Sequence, residues 1–313
     1  MLRTAFGDSI IAALSDPSVV EVMVNPDGAL WIERHGGGRE RTLTQLAEHE
    51  TERVIRLVAS HIGFSCDADH PIVSAELPET GERFEGVMPP ISEAPCFSIR
   101  KPAGKLYRLK DYVLSGVLHE SQADILCSTL QARKNILIAG GTGSGKTTLA
   151  NALLSEIAAS GERIILIEDT RELSCDATDC IALRTRDGIA SLGDLVRSTL
   201  RLRPDRIIVG EVRGGEALDM LKAWNTGHPG GVATVHANSA AAALTRLEQL
   251  IGEAVVNAPR SLIAEAIDIV VYIAGRGNER RVEAIAEVVG LAGDQFSIRN
   301  FKPSENFEER KAS

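Results

Sequence analysis

No stretch of this 313-residue chain holds the roughly 18–20 consecutive apolar residues that a membrane-spanning helix requires. The best apolar runs, Ile164 to Ile167 and Ile269 to Ala274, suit buried strands instead. The amino terminus, Met-Leu-Arg-Thr-Ala-Phe-Gly-Asp, lacks the uninterrupted apolar segment of a secretory signal. A cytoplasmic protein is therefore expected, with any membrane association peripheral. Long lysine or arginine blocks are also missing. With 34 basic against 43 acidic residues the formal charge is −9, so no broad footprint for duplex DNA is expected, although a local basic pore is compatible with that balance. Aromatics make up only 4%, and no motif combines stacking with basic residues, which counts against a nucleic-acid motor. The five cysteines (Cys66, Cys96, Cys127, Cys175, Cys180) contain no Cys-x-x-Cys pair and leave an odd one out. That pattern fits reduced thiols of a cytosolic protein; Cys175 and Cys180 have no second ligand pair with which to bind zinc.

What is present is ordinary globular composition, 44% hydrophobic and 25% charged, over a length that suits two domains. Val20, Val22 and Val24, then Asn25-Pro26-Asp27-Gly28, then Leu30 to Ile32, read as a β-hairpin. From Leu46 to Ile62 the apolar spacing is helical, stopping at Gly63, and short punctuated strands follow up to Ile99. Residues 1–100 are thus expected to form a small α+β domain. Residues 101–115 are expected to be a linker, starting with the basic Lys101 to Leu109 and its Pro102 and Gly104.

From residue 116 onward strands and helices alternate. Strands are predicted at Ile136–Ala139, Ile164–Ile167, Ile207–Val209 and Gly231–Val235, with helices at Lys146–Ser160, Leu192–Leu202 and Glu216–Trp224. Continuous aliphatic strands separated by helices imply an α/β domain with a mainly parallel sheet covered on both faces. The tail from Lys302 to Ser313 is polar and expected to fray.

The chemistry is announced by Gly140-Gly141-Thr142-Gly143-Ser144-Gly145-Lys146-Thr147, which fills every fixed place of G-x-x-x-x-G-K-[ST] between a predicted strand and a predicted amphipathic helix. Glycines let backbone N–H groups close around an anion, and the following helix directs its positive end at it. Lys146 would neutralise β/γ oxygens, Thr147 would offer a hydroxyl to Mg²⁺, and Thr148 completes the expected nucleotide-binding stretch. Hydrolysis further needs a group that orients or deprotonates water. Two acids follow aliphatic strands: Glu168 in Ile167-Glu168-Asp169, and Glu211 after Val209-Gly210. Parallel sheets bind ligands at the carboxyl ends of their strands, where both would emerge. Either could act as the base, and Glu211 could hold Mg²⁺ through water. His228 and His236 bracket the last predicted strand; an imidazole there could report the γ-phosphate, or be merely structural.

Four motifs in order carry a specific resemblance. They are the phosphate loop, the acidic box Ile167-Glu168-Asp169-Thr170-Arg171-Glu172-Leu173, the run Leu200 to Arg213, and the histidine box Gly227-His228 to His236-Ala237. With Val24-Asn25-Pro26-Asp27-Gly28 and Ser98-Ile99-Arg100-Lys101-Pro102, they make the chain similar to the traffic ATPases of type II and type IV secretion over about residues 15–290. It is most similar to the conjugal-transfer and VirB-type branch. It lacks the four-cysteine zinc module of type II members and the Ala-Ile-Arg-Asn-Leu signature of retraction motors, and its amino-terminal region is shorter than in tight-adherence ATPases.

The resemblance implies a RecA-like P-loop NTPase domain behind a PAS-like amino-terminal domain, and a homohexameric Mg²⁺-dependent ATPase with nucleotide between its domains. Arg83 and Arg100 would reach the γ-phosphate. The implied partners are inner-membrane components of a secretion or conjugation complex, which the protein would power from the cytoplasmic side, with no sequence-specific nucleic-acid binding. A DNA-stimulated RecA-like motor and an ATP-binding scaffold with little turnover are the competing expectations.

Overall fold

The computed structural model describes residues 2–34, 37–78, 80–101, 107–186 and 188–301. The chain divides into two compact units, Met1–Lys105 and Leu106–Ser313.

The first unit runs α1 (Leu2–Ser15), β1 (Val19–Val24), β2 (Ala29–Arg34), β3 (Arg39–Gln45), α2 (Glu48–His61), β4 (Ile72–Glu76), β5 (Arg83–Val87) and β6 (Cys96–Arg100). Its strands pair antiparallel throughout, in the order β3-β2-β1-β6-β5-β4. Alternation along β1 buries Val22 and Val24, and α2 buries Val54, Ile55 and Val58 on one stripe, so sheet and helix share a core with Phe84, Phe97 and Ile99. Each such side chain withdrawn from water contributes roughly 1.5–3 kcal/mol. The start of α2 is closed by Glu50, whose carboxylate accepts the Ala47 N–H at 2.8 Å.

The second unit begins earlier than residue 116. Helix α3 (Leu109–Leu114) lies inside the stretch read as linker, because Leu109 and Tyr112 find a core to enter. The middle of that linker, residues 102–106, and the tail 302–313 lie outside the described residues. There follow α4 (Glu120–Gln131), β7 (Ile136–Gly140), α5 (Lys146–Ile157), β8 (Ile164–Glu168), β9 (Cys180–Arg184), α6 (Leu192–Thr199), β10 (Arg206–Val212), α7 (Glu216–Asn225), β11 (Val232–His236), α8 (Ala240–Gly252), α9 (Arg260–Ala266), β12 (Ile269–Ala274), β13 (Arg281–Ala292) and β14 (Gln295–Asn300).

The sheet order is β14-β13-β12-β7-β11-β10-β8-β9. Strands β12 to β9 in that order run parallel, and β13 and β14 add an antiparallel margin. Leu137, Ala139, Ile165, Ile167, Ile207 and Val209 face one apolar layer with α6 to α9. Ile136, Ile138, Ile164, Leu166 and Ile208 face another with α3, α4 and α5. That double burial is why these strands read as unbroken aliphatic runs. Ser191 and Asp194 form a reciprocal cap that starts α6, at 3.2 and 3.0 Å.

Candidate nucleotide site

The chain passes from β7 to β8 across the positions of β11 and β10, so the carboxyl end of β7 opens beside β11 with β10 one strand further on. Residues 141–145 make the turn from β7 into α5. The backbone is left-handed at Gly143 and Gly145, with φ of 76° and 94°, a conformation that strains any residue with a Cβ. Gly145 caps α5, so the positive end of that helix faces the loop. Ser144 is buried, Thr147 and Thr148 are half-buried, and Gly141 and Thr142 are exposed.

Lys146 starts α5 and is only 7% exposed. Its ammonium donates to the Gly141 carbonyl at 3.2 Å and to His236 Nδ1 at 3.2 Å, and it lies 3.9 Å from Glu211 Oε1. Burial pushes its pKa down, while Glu211 and Glu172 pull the other way. His236 Nε2 lies 2.8 Å from Glu211 Oε1. With Lys146 donating to Nδ1, the hydrogen belongs on Nε2, and His236 is neutral there. Burial lowers its pKa; Glu211 opposes this, and Lys146 and Arg213 reinforce it. Strand register explains the meeting: His236 pairs with Gly140, and Val235 with Val212 beside Glu211. The other Glu211 oxygen accepts from Arg213 Nε, and the same guanidinium reaches Asp169 at 3.7 Å.

Glu168 is used differently. It is 3% exposed, and its Oε2 accepts the backbone N–H groups of Glu172 and Leu173 at 2.9 and 2.8 Å. Burial raises its pKa, and those two donors oppose the shift. Its Oε1 has no hydrogen-bond partner among the described residues, with Arg184 Nε 3.9 Å away. Glu168 therefore ties down the loop after β8, and that loop presents Glu172, whose Oε2 accepts the Thr147 hydroxyl at 3.1 Å. The glycine before Glu211 has a matching cause. A Cβ at Gly210 would press on Glu168 Cβ at 3.1 Å, so the glycine makes room for the acid on the neighbouring strand.

The structure thus brings Lys146, Glu211 and His236 together and turns Glu168 toward its own loop. It does not bring His228 into the group. His228 precedes β11, its Nδ1 lies 3.3 Å from the Ala223 carbonyl, and the five-residue strand carries His236 roughly 16 Å to the other end at about 3.3 Å per residue. Arg83 and Arg100 belong to the first unit, where they are direct cross-strand partners on β5 and β6, Arg83 half-buried and Arg100 exposed. On the far side of each stands an acid in register, Glu76 opposite Arg83 and Glu21 opposite Arg100, so opposite charges flank the like pair on that rung.

Sequence reasoning assigned no role to Glu172 or Arg213. Arg213 stands two residues after Glu211, on the same side of an extended segment, and that spacing was a usable signal. Glu172 stands in the acidic box, but its contact with Thr147 depends on the fold of a loop, which no spacing announces.

A family model described as Type II/IV secretion system protein matches residues 4–276. The "Probable conjugal transfer protein TrbB" of Sinorhizobium fredii is 47% identical over 311 residues, covering 99% of this chain and 95% of that protein. "Type IV secretion system protein VirB11" of Bartonella quintana is 32% identical, covering 94% and 93%. Among solved structures, the ATPase DotB of Yersinia pseudotuberculosis matches with a TM-score of 0.60 at 17% identity, covering 99% of this chain and 82% of that one, a likeness of fold. With its phosphate loop, ordered motifs and nearly full-length relatives, the chain belongs to the Type II/IV secretion system protein family.

Proposed function

We propose that this chain is a Mg²⁺-dependent ATPase that turns ATP hydrolysis into motion of its two units, and so powers a type IV secretion or conjugative transfer apparatus. One observation supports this above the rest: the Lys146 ammonium, at the mouth of a glycine loop and a helix amino terminus, is gathered with Glu211 and His236 at the carboxyl end of a parallel sheet. A buried cation beside backbone donors suits a polyphosphate, and a carboxylate a few ångströms away suits the water that attacks it.

In this reading Lys146 and the loop amides bind the β- and γ-phosphates, and Glu211 orients the water and accepts its proton. His236, donating through Nε2, steadies Glu211, and Glu168 keeps the acidic loop in place. Oxygen donors are the right kind for magnesium: the Thr147 hydroxyl and the Glu172 carboxylate lie 3.1 Å apart, with Glu211 as a ligand through water. The described residues contain no group of three or more acidic, cysteine or histidine side chains able to cage a metal, which fits an ion carried in by the nucleotide's phosphates. Bound there, the ion would neutralise charge on the phosphate oxygens. Arg83 and Arg100, on a first unit expected to be PAS-like, are assigned to the γ-phosphate, whose oxygens a guanidinium fork suits.

The conjugal-transfer and VirB11 relatives support a place in such an apparatus. A homohexamer working from the cytoplasm against inner-membrane components is the assembly we assign; no helix among the described residues is long and apolar enough to cross a membrane. Steady-state phosphate release from ATP with magnesium tests the enzyme. Activity in the parent that disappears in Lys146→Ala is the expected result, and an inactive parent or a fully active variant would overturn it. Particle mass with a non-hydrolysable ATP analogue tests the ring, which should weigh about six times 33.5 kDa.

A further inference from the structure

We infer that Arg276 and Arg280, on the turn joining β12 to β13, are positioning residues of the phosphate loop, holding its peptide groups in the orientation that binds nucleotide and adding positive charge beside it. This rests on the nucleotide-binding reading above.

Strand β12 pairs parallel with β7 up to Tyr272 opposite Ala139, so the turn that follows emerges next to the loop after β7. That turn is tightly built. Gly275 has φ of 78°, and a Cβ on it would collide with the Glu279 carbonyl; the Glu279 N–H closes a turn onto the Arg276 carbonyl at 3.0 Å. From it Arg276 Nε donates to the Thr142 carbonyl at 3.1 Å, and Arg280 Nη2 donates to the Gly143 carbonyl at 3.3 Å. The Arg280 guanidinium lies across Gly145, where a Cβ would stand 2.9 Å from its Nε.

In a trans peptide the N–H points opposite to the C=O. Holding the carbonyls of Thr142 and Gly143 toward two guanidinium groups therefore aims the N–H groups of Gly143 and Ser144 the other way, into the loop. There the Ser144 N–H and Lys146 Nζ converge on the Gly141 carbonyl at 3.3 and 3.2 Å. Charge-assisted donors also polarise the peptides they touch, which strengthens those N–H groups toward an anion. Lys146, at the end of that loop, has Glu211, Glu172 and Arg213 close enough to act on its charge. Arg280 keeps its Nε buried without a hydrogen-bond partner among the described residues, a cost that packing alone does not explain.

The test uses the full chain and measures both the binding of a fluorescent Mg·ADP analogue and the steady-state kinetics of ATP hydrolysis. Arg276→Gln and Arg280→Gln should each raise Kd and KM roughly tenfold, leaving kcat within about twofold, because what is lost is ground-state and transition-state binding alike. Arg280→Lys, which keeps the charge and one donor, should recover most of the lost affinity. If the double glutamine variant binds as tightly as the parent, or loses thermal stability with affinity unchanged, the role is at most structural and the inference fails. Should the double variant not fold, the single variants and the lysine rescue decide by the same criteria. A parent that binds no nucleotide overturns the functional reading and this inference with it; a parent that binds, with variants that bind equally well, overturns this inference alone.

Discussion

At the amino end of the parallel sheet, buried polar groups are matched almost bond for bond. The Asn135 carboxamide donates to the Ala266 carbonyl at 2.7 Å and accepts the N–H groups of Gly230 and Gly231 at 2.8 and 2.9 Å. Arg206, 4% exposed, donates to Glu162 at 2.5 Å and to the carbonyls of Gly230 and Leu130 at 3.2 and 3.0 Å. At the carboxyl end the same kinds of group are left short. Lys146 is buried with its charge disfavoured, Glu168 keeps an oxygen without a hydrogen bond, and Ser144 Oγ has no partner among the described residues. A saturated network rigidifies a fold, whereas an under-satisfied one stores electrostatic potential for use. Paired substitutions at the two ends should therefore fail in opposite ways.

The largest effect expected is that of Lys146→Ala, which should cost at least about a thousandfold in ATP turnover while leaving the urea midpoint nearly unchanged. An activity loss explained by unfolding would break the contrast between the ends. Next comes Arg206→Met, at the matched end. It takes the donor from the Gly230 carbonyl, leaves the Leu130 carbonyl to the Arg133 N–H at 3.1 Å, and leaves Glu162 to Arg133 at 2.6 Å and the Ser160 hydroxyl at 2.9 Å; it should cost about 3 kcal/mol of stability in urea denaturation. Turnover per folded molecule should stay near the parent's; a variant as stable as the parent would show that the network is ornamental. Glu211→Gln, third in size, should lower kcat about a hundredfold with nucleotide affinity retained, because the amide cannot accept the proton from water. Equal turnover in this variant would move the base to another carboxylate.

The matched end was also the less legible one. The apolar runs at Ile136, Ile164 and Ile207 told the strand positions and their burial on two faces, and the glycine loop told where β7 turns into α5, because both signals are local. Asn135, Arg206 and Glu162 meet only after strands far apart in sequence are aligned, and no spacing announces that. His228 and His236 illustrate the same limit. They share a motif, and a strand read as continuous should have warned that its length carries them to opposite ends of the sheet. The tie from Glu168 to the Glu172 and Leu173 amides could not be read either, since it depends on a loop turning back on its own strand. The linker misread had the reverse cause. Pro102 and Gly104 dominated the local signal, while Leu109 and Tyr112 became helical because the second core accepted them.

The smallest effect expected probes the carboxyl end through pH. His236 has a folded-state pKa below its ordinary 6.5, chiefly because burial disfavours its charge. The stability its neutral ring contributes is present above 6.5 and is lost as pH falls through the lower folded value, because protonation puts an N–H against the Lys146 ammonium. With the side chain 44% exposed, screening keeps the contribution below about 1 kcal/mol. The stability difference between the parent and His236→Gln should therefore narrow on going from about pH 8 to about pH 6, and a parallel series with Asn135→Ala should show no such narrowing, since nothing titrates in that carboxamide. A difference that widens toward acid would mean that the ring is held as a cation by Glu211. The hydrogen-bond pattern from Lys146 through His236 to Glu211 would then have to run in the opposite sense.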